Sequence, residues 1–91
     1  MEFKTTVCEA FRLLRNHRGI SQECVVHDTG YNIGNIENGR SCPSLPVFVK
    51  LCKYYKVESG RLLNLIILSL NARIRIKILI EEELMKEKSA S

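Results

Sequence analysis

Residues 21–45 read SQECVVHDTGYNIGNIENGRSCPSL, and this stretch decides the fold. Ser21 is a helix cap, followed by Gln22 and Glu23 in the first turn, where acceptor and acidic groups suit the exposed N–H groups. Val25 and Val26 are its expected core-facing residues, and Gly30 stops it. Asn32 then caps a very short helix over 32–38, whose Ile33 and Ile36 are three apart and face the same side. Gly39 supplies the left-handed terminator expected after it. Two short helices therefore flank a Gly30-Tyr31-Asn32 turn.

Working outward, Thr5 or Thr6 can cap an earlier helix in which Val7, Ala10, Phe11, Leu13 and Leu14 recur at helical spacing. Cys8 joins that stripe, and Gly19 ends it. On the other side Ser44 caps a fourth helix running to about Tyr55, with Pro46 in the first turn, where a missing N–H costs little. Its buried face is expected to hold Val47, Phe48 or Val49, Leu51, Cys52 and Tyr55. A fifth helix opens at Glu58 or Ser59 and continues through Leu62, Leu63, Ile66 and Ile67.

Ninety-one residues, 45% of them hydrophobic, suffice for one small core. The net charge of +4 suits a polyanionic partner without identifying one. Cys8, Cys24, Cys42 and Cys52 follow no signal-peptide pattern, so the thiols are expected to be free in a reducing, cytoplasmic compartment. Their spacings match no paired C-x-x-C pattern, and His17 and His27 lie too far from any pair to complete a zinc set. No metal and no cofactor are expected. Ser-His-Asp, paired-carboxylate and phosphate-cradling arrangements do not occur either, so the chain does not read as an enzyme.

The run LLRNHRGISQE, then IENGR, PSL, KLCKYYKV and RLL resembles the Cro and phage-repressor type (XRE) helix-turn-helix family across roughly residues 7–66. Any one of these motifs is weak, and their order makes the combination specific. The resemblance implies an all-α, five-helix, lambda-repressor-like DNA-binding domain over residues 1–66, with 67–91 as a C-terminal extension. It implies that Gln22 contacts a DNA phosphate and that Arg15 pairs with Glu37, holding the first helix against the third. Asn38 and Arg40 match positions that touch the sugar-phosphate backbone, which fixes register without reading sequence. Base reading then falls to Tyr31, Asn32 and Asn35 on the outward face of the third helix.

The chain departs from the family in the same place. Only 14 residues, 22–35, separate Ser21 from Ile36, a few fewer than the family pattern, so the turn and the start of the reading helix are shortened. Gly34 also stands where a side chain is usual. Either it lets the short helix approach the groove floor closely, or base recognition is partly lost. Cys24 replaces a frequent Glu that would complete a capping box with Ser21. Near a helix N-terminus it could be a redox-sensitive thiol, and the plainer reading is a small surface substitution.

Beyond the resemblance, LIILSL (65–70) is too short to span a membrane, because the apolar run stops at Asn71. RIRIKILI (73–80) alternates strictly, with Ile74, Ile76, Ile78 and Ile80 on one face and Arg73, Arg75 and Lys77 on the other. Period two predicts a strand, and its expected partner is the same strand of a second copy across a two-fold axis. The alternative is a continuation of helix five through EEELMKEK. The sequence thus reads as a homodimeric, sequence-specific regulator of transcription that binds double-stranded DNA at a short palindrome, probing it with one short helix per copy. The other reading is an antitoxin-like adaptor whose Ile-rich segment 65–80 grips a protein partner.

Overall fold

Helices α1 (Phe3–Arg18), α2 (Gln22–Thr29), α3 (Ile33–Glu37), α4 (Leu45–Tyr54), α5 (Ser59–Ala72) and α6 (Ile76–Ala90) follow one another in the computed structural model, which describes residues 3–90, with side chains through residue 87. No strand occurs among the described residues. The architecture is all-α.

The stripe on α1 is buried as its spacing requires: Val7, Ala10, Phe11 and Leu14 lie in the core with Leu51 and Cys52 of α4 and Leu62 and Ile66 of α5. Phe11 meets Phe48 edge-on, with ring centroids 5.3 Å apart, and Tyr55 at 6.1 Å. Such aromatic pairs contribute about 0.5–1.5 kcal/mol beyond their buried area. Thr6 does not cap α1 but is buried within it, because the helix already runs from Phe3.

Local chemistry sets the ends of α2 and α3. The Ser21 hydroxyl accepts from the Cys24 N–H at 3.1 Å, and Gly30, in the left-handed region at φ 78°, closes α2 through its N–H to the Val26 carbonyl. Asn32 Oδ1 accepts from the Asn35 N–H at 3.1 Å. Gly39 adopts φ 82° after α3. Within α2 only Val25 reaches the core, and Val26 is exposed. Adjacent helical residues point about 100° apart, so so short a helix can commit one of the pair. Glu58 caps α5, its carboxylate accepting from the N–H groups of Gly60 and Arg61 at 3.0 and 3.1 Å.

The expected strand over 73–80 is overturned. α5 runs on to Ala72, Arg73 turns the chain at φ 57°, and α6 begins at Ile76. Buried Ser69 organises the turn: its carbonyl accepts from the N–H groups of Arg73 and Ile74, and its hydroxyl donates to the Ile74 carbonyl. Ile76, Leu79, Ile80 and Leu84 are buried, an i, i+3, i+4, i+8 stripe that packs α6 on α1 and α5. A helix satisfies its backbone internally, whereas a lone strand leaves donors unpaired.

The four isoleucines therefore share no face. Ile76 and Ile80 belong to this chain's own core, whereas Ile74 and Ile78 are exposed. Pairing through an Ile74-Ile76-Ile78-Ile80 strand is not available. The 66/67 boundary falls inside α5, and Ile76, Ile80 and Leu84 lie in the same core cluster as Val7 and Leu14. Ion pairs close the α6 side, with Arg61 on Glu83 and Arg18 on Glu87. Arg18 also donates to the Tyr55 and Lys56 carbonyls that end α4.

Candidate nucleic-acid interface

A buried ion pair fixes α3. From the last turn of α1, Arg15 donates through Nε to Glu37 Oε2 at 2.6 Å and through Nη2 to Oε1 at 3.0 Å, while Nη1 reaches the Ile20 carbonyl at 2.9 Å. The two side chains are 13% and 3% exposed, so this is a two-point contact inside the protein. The hydrogen bond to Glu37 is the main cause that strengthens Arg15's hold on its proton. Gln22, the first residue of α2, adds a third donor, Nε2 to Glu37 Oε1 at 3.0 Å. One carboxylate thus ties three helices together.

Tyr55 lies close enough to feel both charges. Burial first, and then the Glu37 charge, pushes its hydroxyl up to about 12.

Around this knot the remaining site residues divide by occupation. The Asn38 side-chain oxygen accepts from the Arg40 N–H at 3.2 Å, and the Asn35 carbonyl accepts from the N–H groups of Arg40 and Ser41. These bonds wind the loop back over the end of α3. They leave the Asn38 amide nitrogen and the Arg40 guanidinium exposed and without a partner among the described residues. Asn32 uses its side-chain oxygen as the α3 cap. Tyr31 is half-buried, packed against the core. Asn35, half-buried, keeps a side chain with no partner among the described residues. Of the three expected readers, only Asn35 has a side chain neither packed on the core nor hydrogen-bonded among the described residues.

Five residues at 1.5 Å rise make α3 only about 7.5 Å long. That length spans about two base-pair steps. Gly34, its second residue, is neither left-handed nor crowded: a Cβ there would come no closer than 3.6 Å to Asn32 Oδ1 and 3.7 Å to Gln22 Oε1.

Sequence reasoning missed two arrangements. Arg12, one turn before Arg15, joins Gln22, Gly34 and Asn38 around an open surface hollow of about 240 Å³ beside the buried pair. Its i, i+3 relation to Arg15 was the available signal. On the far side of α2, Tyr54 donates to Asp28 Oδ2 at 2.6 Å, and Cys24 Sγ lies 3.7 Å from the same oxygen. The Tyr54 hydrogen bond, followed by that of His27, holds the Asp28 carboxyl below its ordinary value. Asp28 thereby links α2 to α4.

All four cysteines are free thiols. Burial pushes Cys8 up and takes Cys52 to about 12, while Cys24 and Cys42 are exposed. Among the described residues no group of three or more His, Cys, Asp or Glu could hold a metal ion. No described helix is long and apolar enough to cross a membrane.

No curated protein and no solved structure matches this chain. A family model described as a helix-turn-helix domain matches residues 8–66, which takes in α2, the Gly30-Tyr31-Asn32 turn and α3 together with the Arg15–Glu37 pair that braces them. Matched over more than half its length, the chain belongs to the helix-turn-helix domain family, a family of DNA-binding domains.

Proposed function

We propose that this protein is an XRE-type transcriptional repressor that binds a palindromic site in double-stranded DNA as a homodimer, placing α3 of each copy in a major groove. The observation that carries the reading is the division around Glu37: Arg15 and Gln22 hold α3, while the Asn35 side chain, the Asn38 amide nitrogen and the Arg40 guanidinium have no partner among the described residues. On this reading Asn38 and Arg40 grip the sugar-phosphate backbone, with Gln22 donating its second amide hydrogen to a phosphate. Asn35 reads an adenine edge. Tyr31 and Asn32 contribute less, since one packs on the core and the other caps α3.

A single bidentate base contact gives about 1–3 kcal/mol of discrimination, too little for one copy to pick out a site. Two copies double it and set half-sites roughly 34 Å apart. Exposed Ile67 and Leu68 on α5, Ile74 in the connection and Ile78 on α6 are the apolar side chains available to a second copy in this region. The same exposed side chains favour a second reading, an adaptor that grips a different protein there. Light scattering on the pure chain separates the two, because a homodimer forms without any partner.

Selection from random duplexes followed by fluorescence anisotropy tests the main reading. Binding is expected to be salt-sensitive, with Asn35→Ala relaxing base preference and Arg40→Ala weakening all sequences alike. Folded protein that binds no duplex at about 50 mM salt overturns the proposal.

A further inference from the structure

We infer that the cavity between α1, α2 and α3 seats a backbone phosphate of duplex DNA, with Arg12 as its counter-charge and Gly34 keeping its wall open. The inference rests on the DNA-binding reading and adds to it Arg12, which no motif of this chain singled out, and a role for Gly34 beside it.

Charge within the cavity is the first argument. Its lining holds two cations, Arg12 and Arg15, and one anion, Glu37. Glu37 accepts both Arg15 bonds and the Gln22 bond, so Arg15 neutralises it. Arg12 is exposed and has no partner among the described residues. The cavity therefore presents one uncompensated positive charge, with Gln22 and Asn38 amide donors beside it. A singly charged phosphodiester oxygen pair fits that donor set, because a guanidinium can meet it at two points.

Gly34 is the second argument, and it is independent of charge. Neither backbone conformation nor crowding requires glycine at this position. Glycine in a helix is unfavourable relative to alanine, so the fold alone would favour a side chain here. That side chain would rise between Gln22 Oε1 and Asn32 Oδ1, at the cavity Gly34 lines. Keeping the position bare leaves room for the phosphate beside the Gln22 and Asn38 amides and the exposed Arg12.

The test uses the full chain and a duplex that the wild type binds. Arg12→Gln is expected to lower the slope of log K against log salt by about 1 per copy, equally on all sequences, and Arg12→Lys to restore it. Gly34→Gln is expected to weaken binding about tenfold or more while the protein remains folded by circular dichroism. Gly34→Ala is expected to raise Tm by roughly 2–8 °C and still lower affinity. A merely structural role would move stability and affinity in the same direction. An unchanged salt slope in Arg12→Gln, or wild-type affinity in Gly34→Gln, overturns the inference while leaving DNA binding intact. Displacement of the duplex by low millimolar inorganic phosphate, at constant ionic strength, would assign the cavity to free phosphate and overturn it too. If the wild type binds no duplex, it is the DNA-binding reading that falls.

Discussion

Replacing Arg15 with leucine while Glu37 stays in place measures what the buried pair contributes. The Glu37 side chain is 3% exposed and would lose two charge-assisted hydrogen bonds of 2.6 and 3.0 Å, keeping only Gln22. The Ile20 carbonyl would lose its donor as well. Breaking a buried pair from one side costs about 3–5 kcal/mol, because the remaining charge is stranded. A chain of this length has about 5–14 kcal/mol of total stability. Arg15→Leu should therefore remove a large share of it and lower Tm by about 12 °C or more, at 4 °C or more per kcal/mol.

The double variant Arg15→Leu/Glu37→Leu decides the mechanism. With both charges gone, leucine packing replaces the pair at little net cost, so the double should be more stable than Arg15→Leu alone. Urea unfolding of the four proteins, followed at the helical dichroism band with a shared m-value, gives a coupling expected at about 3 kcal/mol. Two results would refute the reasoning. One is a loss under about 1 kcal/mol in Arg15→Leu, the size of a solvated surface pair. The other is additivity of the two single substitutions.

Three further outcomes follow from the same structure. Deleting residues 73–91 removes the buried Ile76, Leu79, Ile80 and Leu84; at about 1.5–3 kcal/mol each the loss is about 6–12 kcal/mol, so residues 1–72 should not fold, as dichroism and NMR dispersion would show. Ellman's reagent should modify Cys24 and Cys42 in the native protein and reach Cys8 and Cys52 only on unfolding, since the latter two are buried with thiols pushed up. The Asp28–Tyr54 bond should shape both pH limbs of stability: Asp28 is lowered from 3.8, so its contribution is present above that value and lost as pH falls through the folded pKa. Tyr54 is raised from 10.0, so its contribution is present below that value and lost as pH rises through the folded pKa. Tyr54→Phe should flatten both limbs of the Tm-versus-pH curve.

How much of this was legible in the sequence depends on how far apart the interacting groups are. Ser21, Gly30, Asn32 and Gly39 act within a few residues of themselves, so the ends of α2 and α3 could be read directly. Arg15 and Glu37 lie 22 positions apart, and in the sequence only the family resemblance joins them. The alternation over 73–80 misleads because it runs across a turn. Arg73 to Arg75 are the connection, and the helical stripe of Ile76, Leu79, Ile80 and Leu84 runs past the end of the alternating segment. Arg12 carries only its i, i+3 spacing from Arg15, and Gly34 stands out in the chain as a bare position, but what either does lies in a surface hollow that three helices build.

The shortening of α3 then shifts the balance between gripping and reading. With the Asn32 oxygen on the cap and Tyr31 on the core, each copy has Asn35 as its one unengaged reader against the cations Arg12 and Arg40, which have no partner among the described residues. On the DNA-binding reading, two phosphate contacts per copy give a dimer a salt slope of about −3.6, or roughly 150-fold between 50 and 200 mM salt. One reader per copy gives the dimer about 2–6 kcal/mol of discrimination by direct contact. At the low end of that range the phosphates set the affinity and base contacts alone leave many sites nearly equal. Sequence preference in such a protein would then come from how readily a duplex bends to bring both short helices into adjacent grooves, a cost that depends on base steps the protein never touches.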